Sequence, residues 1–146
     1  MEKSRKNRKT ISTIISVTIG FIVYFLVKQF VFTPQSIDKA MMKAASELNE
    51  SCPIMVDQDT RLDNAVTLTD NIFQYNYTLV NLVKDSIDLK AFKDSMKPLI
   101  LNNVKTNPDL KFYRDNKITM AYYYKDMNGE FVSKILISPD QYLEIE

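Results

Sequence analysis

The stretch SCPIMVDQDTRLDN, Ser51 to Asn64, concentrates the side chains that could do chemistry: the one cysteine of the chain, Cys52, and three aspartates, Asp57, Asp59 and Asp63. Asp57-x-Asp59-x-x-x-Asp63 has a spacing that suggests calcium. An EF-hand loop opening at Asp57 requires glycine at 62 and glutamate at 68, and the chain has Leu62 and Leu68 there. Arg61 would also carry a positive charge towards the ion. A reactive thiol needs a group that stabilises thiolate; Cys52 has Glu50 before it, Pro53 after it and no histidine anywhere in the chain. A lone cysteine in an oxidising compartment leaves an intermolecular disulfide open. The reading the residues favour is structural. Cysteine behaves as a small buried hydrophobe, Pro53 ends a helix, and Ile54-Met55-Val56 can tuck under a sheet as the chain passes into a hairpin. Arg61 and Asp63 lie two apart on one strand face. The polar residues Asp57, Asp59, Arg61 and Asp63 are therefore expected to contact a partner rather than to catalyse.

Composition removes other chemistries. Histidine is absent and cysteine single, which excludes Ser-His-Asp and Cys-His catalysis, zinc sites built on Cys and His, and an internal disulfide. With 2 glycines the chain lacks the means for a glycine-rich phosphate cradle. No cofactor and no metal are expected. Tyr122-Tyr123-Tyr124 between Lys117 and Lys125 could stack bases, but residues 34–146 hold 13 basic and 17 acidic side chains, and alternating strand tyrosines fit half-buried packing; no nucleic-acid partner is expected.

Cys52-Pro53, Asp57, Thr60-Arg61-Leu62-Asp63 and then Tyr75-x-Tyr77-Thr78-Leu79 form a pattern that resembles small, uncharacterised bacterial exported or membrane-anchored proteins. The resemblance covers residues 50–80, implies a bacterial envelope setting and brings no catalytic residues with it.

The elements that must position these residues follow from periodicity. Thr33-Pro34 is a helix start, and Ile37, Met41, Ala44 and Leu48 continue at helical spacing to Asn49. Leu62, Val66 and Leu68 define one side of a strand, Asp70-Asn71 a turn, and Phe73, Tyr75, Tyr77 and Leu79 alternate with Gln74, Asn76 and Thr78 along Ile72 to Val80. A second helix opens at Asp85-Ser86, is kinked or split by Pro98, and ends at Asn107-Pro108. A second hairpin spans Ile118 to Tyr124 and Phe131 to Ser138 around Asn128-Gly129. The predicted fold is α+β: an N-terminal transmembrane helix, then a helix–hairpin–helix–hairpin domain with an antiparallel sheet.

The head of the chain supplies the anchor. Residues 1–10 carry five Lys or Arg and one acid, and Ile11 to Val27 carries no charge. The apolar run to Phe32 matches the roughly 20 helical residues that cross a bilayer core, with Lys28 placed to snorkel at its far end. The basic cluster predicts a cytoplasmic tail (1–10), a transmembrane helix (11–33) in the inner, or cell, membrane and an extracytoplasmic domain (34–146). A cleaved signal peptide is the rival; the residues after the run offer no small-x-small site. Ser12, Ser16 and Gly20, spaced by four, form a ridge of small residues that lets two helices approach. Lipid bilayer, and a protein partner or a second copy of the chain, are thus the expected partners. The leading functional expectation is a non-enzymatic accessory subunit of a bacterial envelope assembly. A membrane-tethered inhibitor or immunity protein is second, and a carboxylate-based enzyme third.

Overall fold

The computed structural model of the chain describes residues 34–143. Helix α1 (Pro34–Ser51) buries Met41 and Ala45, four apart on one face, with Ala44 and Leu48 half-buried beside them. The chain then forms strands β1 (Ile54–Met55), β2 (Thr60–Leu68) and β3 (Ile72–Leu79). Asp70 and Asn71 both adopt positive φ, 63° and 54°, which short polar side chains tolerate and a tight β2–β3 connection needs. A 3₁₀ turn at Lys84–Ser86 precedes helix α2 (Leu89–Thr106), whose N-cap Asp88 accepts from the Ala91 amide at 2.9 Å. A second 3₁₀ turn (Pro108–Leu110) leads into helix α3 (Lys111–Asp115), strands β4 (Thr119–Lys125) and β5 (Phe131–Ile137), and helix α4 (Pro139–Leu143).

Among the described residues five strands form one sheet in the order β1-β2-β3-β4-β5. Its centre corrects the expected antiparallel helix–hairpin–helix–hairpin fold. β3 and β4 run parallel, from Ile72 opposite Thr119 to Thr78 opposite Lys125, so the sheet is mixed. The cause is the connection. After Leu79 the chain passes through α2 and α3 and returns to the end where β3 began, where the Thr119 amide donates to Asn71 O at 3.0 Å. β1 is a further strand at the edge, paired with Leu62 and Arg61, and Met55 and Val56 are exposed rather than tucked under the sheet. Pro98 lies within α2, on its exposed side, where solvent can meet the carbonyl that the proline leaves unbonded, and the helix runs on without splitting. The helix expected at 11–33 lies outside the described residues; among the described residues no helix is long and apolar enough to cross a membrane.

The helices gather on the sheet face that carries Phe73, Tyr75 and Tyr77. Phe73 meets Tyr113 of α3 at 4.8 Å between ring centroids, Phe92 of α2 meets Tyr124 at 5.2 Å, and the Tyr142 hydroxyl of α4 donates to Ile118 O at 2.9 Å. Met41, Phe73, Val104, Ile118, Met120, Ile135 and Ile137 are fully enclosed between the layers. Because β3 and β4 pair in register, Tyr75 stacks on Tyr122 at 5.4 Å and Tyr77 on Tyr124 at 5.1 Å, with interplanar angles of 29° and 17°. The aromatic face that the first hairpin starts is completed across the parallel junction. The opposite face, with Val66 and Leu136 exposed, carries no helix among the described residues.

Candidate interaction surface

The four polar residues expected to meet a partner divide into two pairs. Asp57 and Asp59 lie exposed in the β1–β2 turn. Asp57 Oδ1 accepts from the amides of Asp59 at 2.8 Å and Thr60 at 2.7 Å, an Asx turn that starts β2. Asp59 accepts from Asn81 Nδ2 at 2.8 Å, and its carbonyl accepts from the Val80 amide at 2.8 Å, which ties the turn to the end of β3.

Arg61 and Asp63 meet on the open sheet face. The β2–β3 register shifts between Leu62 and Asn64, leaving Asp63 unpaired in the ladder. Arg61 Nε donates to Asp63 Oδ1 at 2.7 Å, while Thr78 Oγ1 donates to Oδ2 at 2.6 Å and Lys125 Nζ lies 3.2 Å from the same oxygen. Partial burial pushes the Asp63 carboxyl up, but the hydrogen bonds from Thr78, Arg61 and Lys125 outweigh it and hold the group below the usual carboxylate range. An amide chain continues the network: Gln74 Nε2 donates to Asn76 Oδ1 at 2.8 Å, and Asn76 Nδ2 to Asn64 Oδ1 at 2.6 Å. Strand register puts Tyr123 and Lys134 on the same face, in line with Asn76 and Asn64. Arg61, Asp63, Thr78 and Lys125, and likewise Gln74, Asn76 and Asn64, are committed to one another. The arrangement offers hydrogen bonds and charge for recognition. Among the described residues no three Cys, Asp or Glu side chains gather to hold an ion.

Cys52 is half-buried, and the Cys52–Pro53 peptide is cis. Desolvation first, and the charge of Asp63 second, push the thiol pKa up, so Cys52 is held protonated and poorly nucleophilic. Ser12, Ser16 and Gly20 lie outside the described residues.

Two features escaped the sequence reading. Asp126 is buried in the β4–β5 turn, where Oδ2 accepts from the Lys84 amide at 2.9 Å and Oδ1 from the amides of Asn128 and Glu130 at 2.8 Å each. These bonds outweigh its desolvation and lower its pKa. An aspartate two residues before Asn128-Gly129 is the turn signal that marks it. The second is a cleft of about 330 Å³ between α1 and α3, walled by Ala40, Ala44, Phe112 and Tyr113, with Lys43, Glu47 and Asp109 also lining it. The small residues on α1 form it, and only the packing of α3 supplies the opposite wall.

The match to a family model fixes the class. Residues 35–132 match the model of a domain of unknown function, DUF8479, and the chain belongs to that family. No curated protein sequence matches the chain significantly. Among solved structures the chain is similar to a candidate secreted protein of Pseudomonas aeruginosa, with a TM-score of 0.63 at 13% identity over 73% of this chain and 93% of that one. It is also similar to EpsS, the pilotin of the Vibrio vulnificus type 2 secretion system (TM-score 0.58, 7% identity, 74% of this chain and 93% of the pilotin). AspS, the type II secretion system pilotin of Vibrio cholerae, gives 0.56 at 10% identity over 77% of this chain and 98% of that one. At these identities the shared property is the fold.

Proposed function

We propose that the chain is a non-enzymatic interaction module of the bacterial cell envelope, an accessory subunit of a larger assembly with its body outside the cytoplasm. The observation that carries this reading is the fold, which the chain shares with two secretion-system pilotins over 93% and 98% of their lengths. The apolar run 11–33 behind a basic head supports a single-pass tether, with the tail 1–10 in the cytoplasm and residues 34–146 outside it. Ser12, Ser16 and Gly20 offer a close-packing ridge to another membrane segment. In the body, Asp57, Asp59, Arg61 and Asp63 occupy one exposed end of the sheet and its open face, where rigid, already paired polar groups favour specificity over chemistry. The resemblance of the Cys52–Leu79 pattern to bacterial exported and membrane-anchored proteins agrees with this setting.

Deletion of the gene tests the reading. The expected phenotype is defective assembly of an envelope machine, restored by the full chain and not by a chain carrying R61E, with circular dichroism showing that R61E keeps its fold. Sensitivity to a neighbouring toxin or hydrolase with assembly intact would replace the accessory reading by that of an immunity protein.

A further inference from the structure

Three loops meet at one end of the sheet: the β1–β2 turn, the segment between β3 and α2, and the β4–β5 turn. They are stitched together. The Val80 amide donates to Asp59 O at 2.8 Å, the Met127 amide to Leu82 O at 3.0 Å, and the Lys84 amide to Asp126 Oδ2 at 2.9 Å. Loops at a sheet end are ordinarily polar. These display Val56, Leu82, Val83 and Met127, joined by Met55 at the end of β1 and by Phe131 at the start of β5, which packs on Tyr123 at 5.2 Å; each is between 36% and 54% exposed. Exposed apolar side chains from all three linked loops thus gather as a collar at one end of the sheet.

Charge narrows what fits the collar. Asp57, Asp59, Asp85 and Glu130 are exposed within the same loops. Lys84 in these loops, with Arg61 and Lys125 on either side of Asp63 nearby, supplies the opposing cations, and carboxylates still outnumber them. An apolar surface rimmed by carboxylates is repelled by an anionic bilayer and attracts a cationic protein segment. The backbone bonds between the loops hold the surface preformed, which lowers the ordering cost of docking.

We infer that this collar is the docking surface for a basic, apolar segment of another protein, two or more large hydrophobic side chains flanked by Lys or Arg. The inference rests on the proposed role as an interaction module and gives that role a surface and a partner chemistry. Ala40 and Ala44 of α1 pack beside Phe112 and Tyr113 at the Phe73 end of the sheet. The collar is the opposite end, where β3 finishes.

The test is photocrosslinking of the full chain in its own membrane, with p-benzoylphenylalanine in place of Val56, Val83 or Met127, and in place of Gln74 or Phe112 for comparison. All five side chains are at least partly exposed. The expected result is a protein adduct from the three collar positions whose mapped peptide is net positive and apolar. D85K combined with E130K should lower its yield about threefold, the scale of two rim charges. Neither of those side chains makes a hydrogen bond or ion pair among the described residues, so the charge change tests recognition apart from folding. Lipid adducts alone at the collar, an acidic captured peptide, or protein adducts confined to Gln74 and Phe112 would overturn the collar while leaving the interaction module standing. Absence of a protein adduct at all five positions would overturn both.

Discussion

The carboxamide of Asn49 binds the backbone of Ala65 from both sides: Nδ2 donates to Ala65 O at 2.8 Å and Oδ1 accepts from Ala65 N at 2.7 Å. This is the pair of bonds a neighbouring strand would make. β1 covers β2 only at Leu62 and Arg61, and beyond them the outer edge of β2 lacks a strand among the described residues. An unpaired edge invites association with another chain. The last turn of α1 closes it with one side chain.

Asn49→Leu removes both bonds and leaves the Ala65 amide and carbonyl without partners, at an expected cost of about 1–3 kcal/mol in chemical denaturation. Asn49→Asp keeps the acceptor, loses the donor and places a charge against the Ala65 carbonyl, so it should destabilise at least as much. Amide exchange at Ala65 should accelerate in both variants. Unchanged stability and exchange would mean that the contact has no structural weight.

Asp126 sets part of the acid response. Its folded pKa is lowered from the unfolded value of 3.8 by the backbone amides that it accepts, so its contribution is complete above that value and is lost as pH falls through the folded pKa. Asp63, also lowered, acts in the same direction. Asp126→Asn should be less stable at neutral pH and should lose less further stability on acidification than the parent. Parallel acid limbs in the two proteins would contradict this.

The tyrosine stack sets the alkaline response. Burial pushes Tyr77 and Tyr142 up to about 12, and Tyr75, Tyr122 and Tyr124 higher still, from an ordinary value of 10.0. A raised folded pKa stabilises fully below pH 10 and fades as pH rises through the folded values, because the unfolded chain ionises first. Ultraviolet titration should show these phenols ionising late, together with loss of structure. The rings matter more than the hydroxyls: Tyr122→Ala should cost about 3–5 kcal/mol as a large core truncation, and Tyr122→Phe about 1 kcal/mol or less. Early ionisation of Tyr75, Tyr77, Tyr122 and Tyr124, with the fold intact, would refute the buried stack.

Local pattern made the elements legible, and their pairing stayed hidden. The strict alternation of Phe73, Tyr75, Tyr77 and Leu79 marks β3, and Asp70-Asn71 marks its turn, because both depend on neighbours in sequence. The parallel contact of Tyr75 with Tyr122 depends on where α2 and α3 return the chain, a property of packing that strand periodicity does not encode. β1, with two residues, is too short to alternate. In the candidate site, Arg61 and Asp63 could be placed on one face from their spacing, whereas Thr78 and Lys125 reach Asp63 only once β3 and β4 lie side by side. Asp57 and Asp59 stand out in the sequence as polar groups for a partner, whereas the structure gives Asp57 an Asx turn onto Thr60 and Asp59 a bond to Asn81 that forms only where the β1–β2 turn meets the end of β3.

The most direct measurement is gentle detergent extraction of the full chain from its own membranes, with the mass and composition of the purified complex determined beside a Gly20→Leu variant. The expected result is a stoichiometric complex with another envelope protein. Loss of that partner in Gly20→Leu would place the contact on the small-residue ridge, and its retention would place it on the body. A chain recovered alone from both preparations, folded and without any partner, would rule out its role as a subunit of an envelope assembly.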